Sequence, residues 1–286
     1  MSMLFCIVYT YIATDLTLQR RVRCGMGLMQ QIGNAFGQEK GKKEIILIGL
    51  PNSGKTVFFC VGMELLQRRF NKLSDYYITY PDLATQKMVS DVIKELRAQK
   101  WPAKTMEVQE VCARISFAGH EREIICKDYG GGAFSKTFLS ENIDEFIGNE
   151  KEYLKAIKSA SSIALLIDSA MLCEEVDDFF YDGLHKMMSA IKDNKLKRFA
   201  IVFTKNDIAK LTPRKAEEKF ESQCPNAYAH LKKLRKEYRF FSISSVQCVA
   251  VGGNYVPPEG YSPLDHSEGL DDLLYWLLEI EKPHSL

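Results

Sequence analysis

The stretch Glu44-Ile45-Ile46-Leu47-Ile48-Gly49-Leu50-Pro51-Asn52-Ser53-Gly54-Lys55-Thr56 decides how this chain is read. Its first half is a short apolar run closed by glycine, the pattern of a strand buried in a parallel sheet. Its second half, Gly49 to Thr56, has the spacing G-x-x-x-x-G-K-T and runs into a helical pattern from Lys55 to about Phe70. Glycines let the backbone curl until successive N–H groups converge on phosphate oxygens, and the helix N-terminus adds partial positive charge. Lys55 is placed to reach β- and γ-phosphates, and the Thr56 hydroxyl to ligate Mg²⁺. The candidate phosphate-binding residues are therefore Gly49, Asn52, Ser53, Gly54, Lys55 and Thr56.

Outward from this loop the chain alternates strand and helix patterns. Helices are expected over about 82–99, 176–193, 213–238 with a break at Pro225, and 270–281. Strands are expected at 108–117, 123–127, 162–167, 198–204 and 240–243, with 249–265 irregular. Such alternation implies an α/β fold with a mostly parallel sheet flanked by helices on both faces. Ligands in such folds sit at the carboxyl ends of the strands.

Composition narrows the class. Hydrophobic residues make up 46% and charged residues 26%, which excludes a wholly disordered or collagen-like chain. The 38 Lys+Arg against 37 Asp+Glu leave a net charge of +1, so no global basic field argues for nucleic-acid binding. Eight cysteines lie at scattered positions, most inside apolar runs and none in a C-x-x-C pair. They read as reduced core residues of a cytoplasmic protein. No apolar run reaches the roughly 18–20 residues of a membrane span.

Three further segments bear on the nucleotide. Asp128-Tyr129-Gly130-Gly131 follows a strand pattern and fits D-x-x-G, with Asp128 placed to hold Mg²⁺ and the Gly131 N–H to approach the γ-phosphate. Thr204-Lys205-Asn206-Asp207 fits T-K-x-D. The Asp207 carboxylate can accept from guanine N1 and N2, for which adenine has no matching donors, and the Lys205 stem can cover the base. Ser244-Ser245 follows the next strand, and the Ser245 N–H is the candidate donor to guanine O6.

Together these four segments resemble the Ras-like, TRAFAC-class GTPase superfamily, over about Glu44 to Glu281. The run from Lys42 to Leu50 is similar to the Arf and signal-recognition-particle-receptor β-subunit branch, and GLPNSGKTVFF also to bacterial GTPase domains of the same broad class. The resemblance implies a P-loop G-domain that binds GTP and GDP with Mg²⁺, hydrolyses GTP, and meets a protein effector or activator. It implies a switch threonine ahead of the second strand of that family. Thr105 is the choice here, as a catalytic residue and Mg²⁺ ligand, with Thr79 and Thr85 as competitors. The intervening helix would be a lid or partner surface, or would pack as core.

The chain departs from the family at Gly132, where the family has a water-orienting glutamine. Slow hydrolysis without a partner is the expectation. A non-hydrolysing GTP-binding scaffold and an ATP-using P-loop enzyme are the alternatives. Residues 1–43 read as a mobile leader, in which Leu28, Ile32 and Phe36 fall at helical spacing; membrane association is not the favoured reading. The expected organisation is that leader followed by a single GTPase domain over 44–286 with a helical insertion at about 78–104.

Overall fold

The computed structural model describes residues 44–50, 52–70, 76–103, 109–117, 120–128, 155–173, 176–190, 198–233 and 237–280. The leader, Thr105, Gly131 and Gly132 lie outside the described residues.

Four strands, β1 (Ile45–Gly49), β5 (Ser162–Asp168), β6 (Arg198–Thr204) and β7 (Glu237–Ser242), form a parallel sheet in the order β1-β5-β6-β7. Three more, β2 (Tyr76–Thr79), β3 (Gln109–Phe117) and β4 (His120–Asp128), form an antiparallel sheet in the order β2-β3-β4. β4 packs beside β1, and Asp128 ends β4. The helices are α1 (Lys55–Phe70), α2 (Leu83–Arg97), α3 (Asp177–Ala190), α4 (Asn206–Ala209), α5 (Pro213–Gln223), α6 (Pro225–Lys232), α7 (Pro263–His266) and α8 (Leu270–Leu278).

The parallel strands are buried on both faces, which is why they read as continuous apolar runs rather than alternations. Their side chains still alternate between two cores. Ile45, Leu47, Ala164, Leu166, Ala200 and Val202 face α1, α2 and α8. Ile46, Ile48, Ile163, Leu165, Phe199, Ile201 and Phe203 face α3, α5 and α6. Each of the Val, Leu, Ile and Phe side chains, fully buried, contributes about 1.5–3 kcal/mol. α1 is apolar nearly all round because it lies between the sheet and a second helix layer, with Phe58, Phe59, Met63 and Leu66 all buried.

α2 starts where Asp82 accepts from the Thr85 amide (2.6 Å) and hydroxyl (2.8 Å). These bonds hold the Asp82 carboxyl below the usual carboxylate range. Val89, Val92, Ile93 and Leu96 join the α1 core, so one face of this helix packs as core.

Three sequence expectations are corrected. β2 was not anticipated: four residues, Tyr76–Thr79, pair antiparallel with Arg114–Phe117, which puts Thr79 in a strand. The helical run from Pro213 breaks after Gln223 but ends at Lys232, and β7 begins at Glu237 rather than Phe240. The stretch 249–265 is not irregular throughout. β8 (Val249–Val251) and β9 (Asn254–Val256) form a hairpin across Gly252-Gly253, and α7 follows.

Candidate functional site

The carboxyl ends of β1, β5, β6 and β7 lie along one edge, because Gly49 is level with Leu166, Asp168 with Thr204, and Phe203 with Ser242. This is the edge at which α/β sheets take ligands, and the loops leaving these strands carry the phosphate-loop and base motifs.

The phosphate loop begins at a glycine that no other residue can replace without strain. Gly49 has φ +152°, and a Cβ there would lie 2.4 Å from the Leu166 carbonyl oxygen and 2.7 Å from Ser53 Oγ. Gly54 has φ +82° with open space where a Cβ would stand, and Asn52 also adopts a left-handed conformation. α1 starts at once, the Phe58 N–H donating to Gly54 O at 2.8 Å. Lys55, buried, folds back over the loop, and its Nζ donates to Gly49 O (3.2 Å) and Leu50 O (3.1 Å). Ser53 Oγ is buried and has no hydrogen-bond partner among the described residues. A ligand seated in the curled, lysine-capped loop could satisfy this hydroxyl. Thr56 is half-buried at the first turn of α1.

The intervening chain from 208 to 243 does not separate the two halves of the base end, because β6 and β7 are neighbours. Lys205 stands in a left-handed conformation (φ 56°), turning the chain sharply from β6 into α4. Asn206 is buried and clamps this turn: its N–H donates to Ile243 O (3.0 Å), its Nδ2 to Leu211 O (2.9 Å), and its Oδ1 accepts from Leu211 N–H (2.7 Å). Thr204 Oγ1 donates to Ile167 O at 3.2 Å, tying β6 to β5. Asp207 then meets the loop after β7. Its Oδ1 accepts from the Ser244 hydroxyl at 2.9 Å and its Oδ2 from the Cys248 N–H at 3.1 Å.

A carboxylate offers about four lone-pair positions. Two are taken by Ser244 and Cys248, so each oxygen keeps capacity for one further donor. The Ser245 carbonyl is fixed by the Tyr261 hydroxyl at 2.7 Å. Burial, then the neighbouring Asp207 carboxylate, push the Cys248 thiol up to about 12. Burial likewise pushes the Tyr261 phenol well above its ordinary value.

Three of these contributors escape motif reasoning. Asp168 ends β5 and takes the Lys205 ammonium at 2.5 Å, while its Oδ1 accepts from Ala170 N–H at 3.0 Å. Lys205 is thereby drawn to the edge of the base end. A carboxylate closing a buried parallel strand was the available signal. The Cys248 N–H and the Tyr261 hydroxyl leave no signature, since one is a backbone group and the other is distant in sequence. The structure thus brings together Thr204, Lys205, Asp207, Ser244 and Ser245 at one end, and Gly49, Asn52, Ser53, Gly54, Lys55 and Thr56 at the other. Asp128 is placed only as the end of β4.

Among solved structures the chain is similar to the nucleolar GTP-binding protein 1 of Plasmodium falciparum, at 16% identity over 85% of this chain and 88% of that one, TM-score 0.39. It is similar to the Arl6 small GTPase of Trypanosoma brucei with bound GppNp, at 12% identity over 84% and 96%, TM-score 0.42. It is also similar to the small COPII coat GTPase SAR1 of Encephalitozoon cuniculi in complex with GDP, at 12% identity over 93% and 92%, TM-score 0.35. No curated protein matches the chain significantly. Residues 46–237 match the sequence profile of DO-GTPase1, Double-GTPase 1, which spans more than half of the chain. The protein belongs to the Double-GTPase 1 family and carries a GTP-binding P-loop domain.

Proposed function

We propose that this chain is a guanine-nucleotide switch that binds GTP and GDP with Mg²⁺ and hydrolyses GTP slowly on its own. The observation that carries the reading is the Asp207 carboxylate. It is held from behind by Ser244 and Cys248, on the same sheet edge as the phosphate loop. Guanine presents two donors, N1–H and N2–H, to such a carboxylate, whereas adenine presents none in that place.

In this reading Gly49, Asn52, Ser53 and Gly54 wrap the phosphates with backbone N–H groups, and Lys55 sits over the β- and γ-oxygens. Thr204, Lys205, Asp207, Ser244 and Ser245 hold the base. The hard oxygen donors Thr56, Thr105 and Asp128 suit Mg²⁺. When bound, the ion neutralises charge on the β- and γ-oxygens. Hydrolysis breaks the bond from the γ-phosphorus to the β,γ-bridging oxygen and forms one to water, releasing GDP and phosphate. The Gly131 N–H would meet the γ-phosphate. Gly132 offers no side chain to orient the water, so turnover waits on a partner's group. That same glycine also favours the second reading, a scaffold that binds GTP without hydrolysing it. The working arrangement is one GTPase domain over 44–286 in a cytoplasmic protein, with an effector or activator as partner.

Labelled GTP displaced by GTP and GDP but not by a hundredfold excess of ATP is the expected outcome; equal displacement by ATP overturns the guanine assignment. Phosphate release followed over hours should show slow, Mg²⁺-dependent conversion. None at all selects the scaffold, and rapid multiple turnover by the isolated chain contradicts the role given to Gly132.

A further inference from the structure

We propose that Trp101 is a positioning residue for guanine recognition: it holds the β8–β9 hairpin in place, and the hairpin holds Asp207. The inference rests on the reading of Asp207 as the base-recognising carboxylate.

The hairpin is a poor candidate for holding anything by itself. Its strands are three residues each, and a lone two-stranded hairpin is marginal in water. Val249, Ala250 and Val251 are all exposed, as are Asn254 and Tyr255. Yet β8 starts on the residue after Cys248, whose N–H is one of the two donors that fix Asp207. The direction of that N–H therefore depends on where the hairpin sits.

Two bonds from elsewhere fix the hairpin. Trp101 Nε1–H donates to Tyr255 O at 2.9 Å, and Gln99 Nε2 to Pro257 O at 3.4 Å. Gln99 lies in the tight turn that ends α2, and Trp101 follows two residues later. There Gln99 is left-handed (φ 58°), its N–H donates to Leu96 O, and the Lys100 N–H donates to Glu95 O at 2.9 Å. α2 is itself anchored in the core by Val92, Ile93 and Leu96. Tyr255 lies opposite Ala250 in the hairpin register, two residues from Cys248. A continuous path thus runs from a core-anchored helix through the Trp101 indole, the two hairpin strands and the Cys248 amide to the Asp207 carboxylate. On the far side of the same loop Tyr261 fixes Ser245, so the loop is held at both ends. Trp101 is about half exposed, so its contact with Tyr255 can be changed without opening the core.

The test uses the full chain and N-methylanthraniloyl-GDP as probe. Trp101→Phe keeps the ring and deletes the N–H donor; Gln99→Ala deletes the second bond. Leu83→Ser, at the exposed start of α2 and away from the hairpin, is the control. Trp101→Phe should release the probe about 3- to 10-fold faster, in proportion to one lost hydrogen bond, and the double variant faster still. Exchange of the Cys248 amide should speed up in parallel, while the melting temperature of the nucleotide-free protein and the release rate of Leu83→Ser stay at wild-type values. Wild-type release from Trp101→Phe overturns the inference and leaves the guanine reading standing. So does faster release matched by an equal loss of nucleotide-free stability. Failure of the wild-type chain to bind the probe overturns both.

Discussion

The two ends of the candidate site are built differently. At the base end the groups framing recognition are already held: Asp207 by Ser244 and Cys248, Asn206 by Leu211 and Ile243, the Ser245 carbonyl by Tyr261. At the phosphate end the buried Ser53 hydroxyl has no partner among the described residues, and the space over Gly54 is open to them. A base must be discriminated, which calls for donors and acceptors fixed in advance. A polyphosphate supplies its own charge, and a loop of N–H groups can close on it. The contrast predicts selectivity from one end and the bulk of the affinity from the other.

Lys55→Ala tests the phosphate end most harshly. It should weaken GDP binding about 100-fold, the scale of two lost charged hydrogen bonds. Binding within threefold of wild type in a fluorescence titration would break the comparison. Asp207→Asn should weaken GDP about 10- to 100-fold while improving xanthosine diphosphate, whose C2 carbonyl can accept from the new amide. A uniform loss for both bases would show that Asp207 does not read the base.

Saturating GDP with Mg²⁺ should raise the melting temperature, adding about 2.7 kcal/mol at a concentration of 100 Kd. Hydrogen-exchange protection gained should centre on residues 49–56 rather than 204–207, because the base end is already bonded. Ser244→Ala should cost about 2- to 10-fold in GDP affinity, since Cys248 still holds the other oxygen of Asp207.

The smallest effect is a pH dependence. The Cys248 thiol is raised from 9.0 to about 12, so the folded state keeps its proton where the unfolded chain loses it. Its contribution to stability is full below pH 9 and is lost as pH rises through about 12. Cys248→Ala should flatten part of that alkaline decline in thermal melts; an unchanged slope would remove Cys248 from it.

Much of this was legible in the sequence, and the misses have physical reasons. The parallel strands announce themselves because burial on both faces demands unbroken apolar runs, as in Phe199-Ala200-Ile201-Val202-Phe203. The phosphate loop is readable because its chemistry needs particular residues at particular spacing. β2 was invisible because four residues are too few to establish a period. The hairpin did carry a signal, Gly252-Gly253 between short β-branched runs, but the adjacent Pro257-Pro258 favoured an irregular reading. The bond from Cys248 to Asp207 could not be read at all, since a backbone N–H has no letter in the sequence. Thr105, Gly131 and the side chain of Asp128 fall outside what the structure describes.

α8 has a consequence for how the protein is made. Leu270, Leu273, Leu274, Tyr275, Trp276, Leu277 and Leu278 are all buried in the core shared with α1. The Ser162 hydroxyl donates to Leu277 O at 3.2 Å and the Arg198 guanidinium to Trp276 O. The second and third parallel strands of the sequence, β5 and β6, are thus finished by its last described helix. On the ribosome, β1 and the phosphate loop emerge more than two hundred residues before the helix that covers them. Until then α1 lacks the cover over Phe58, Phe59 and Leu66, which ties completion of the core behind the phosphate loop to the emergence of α8.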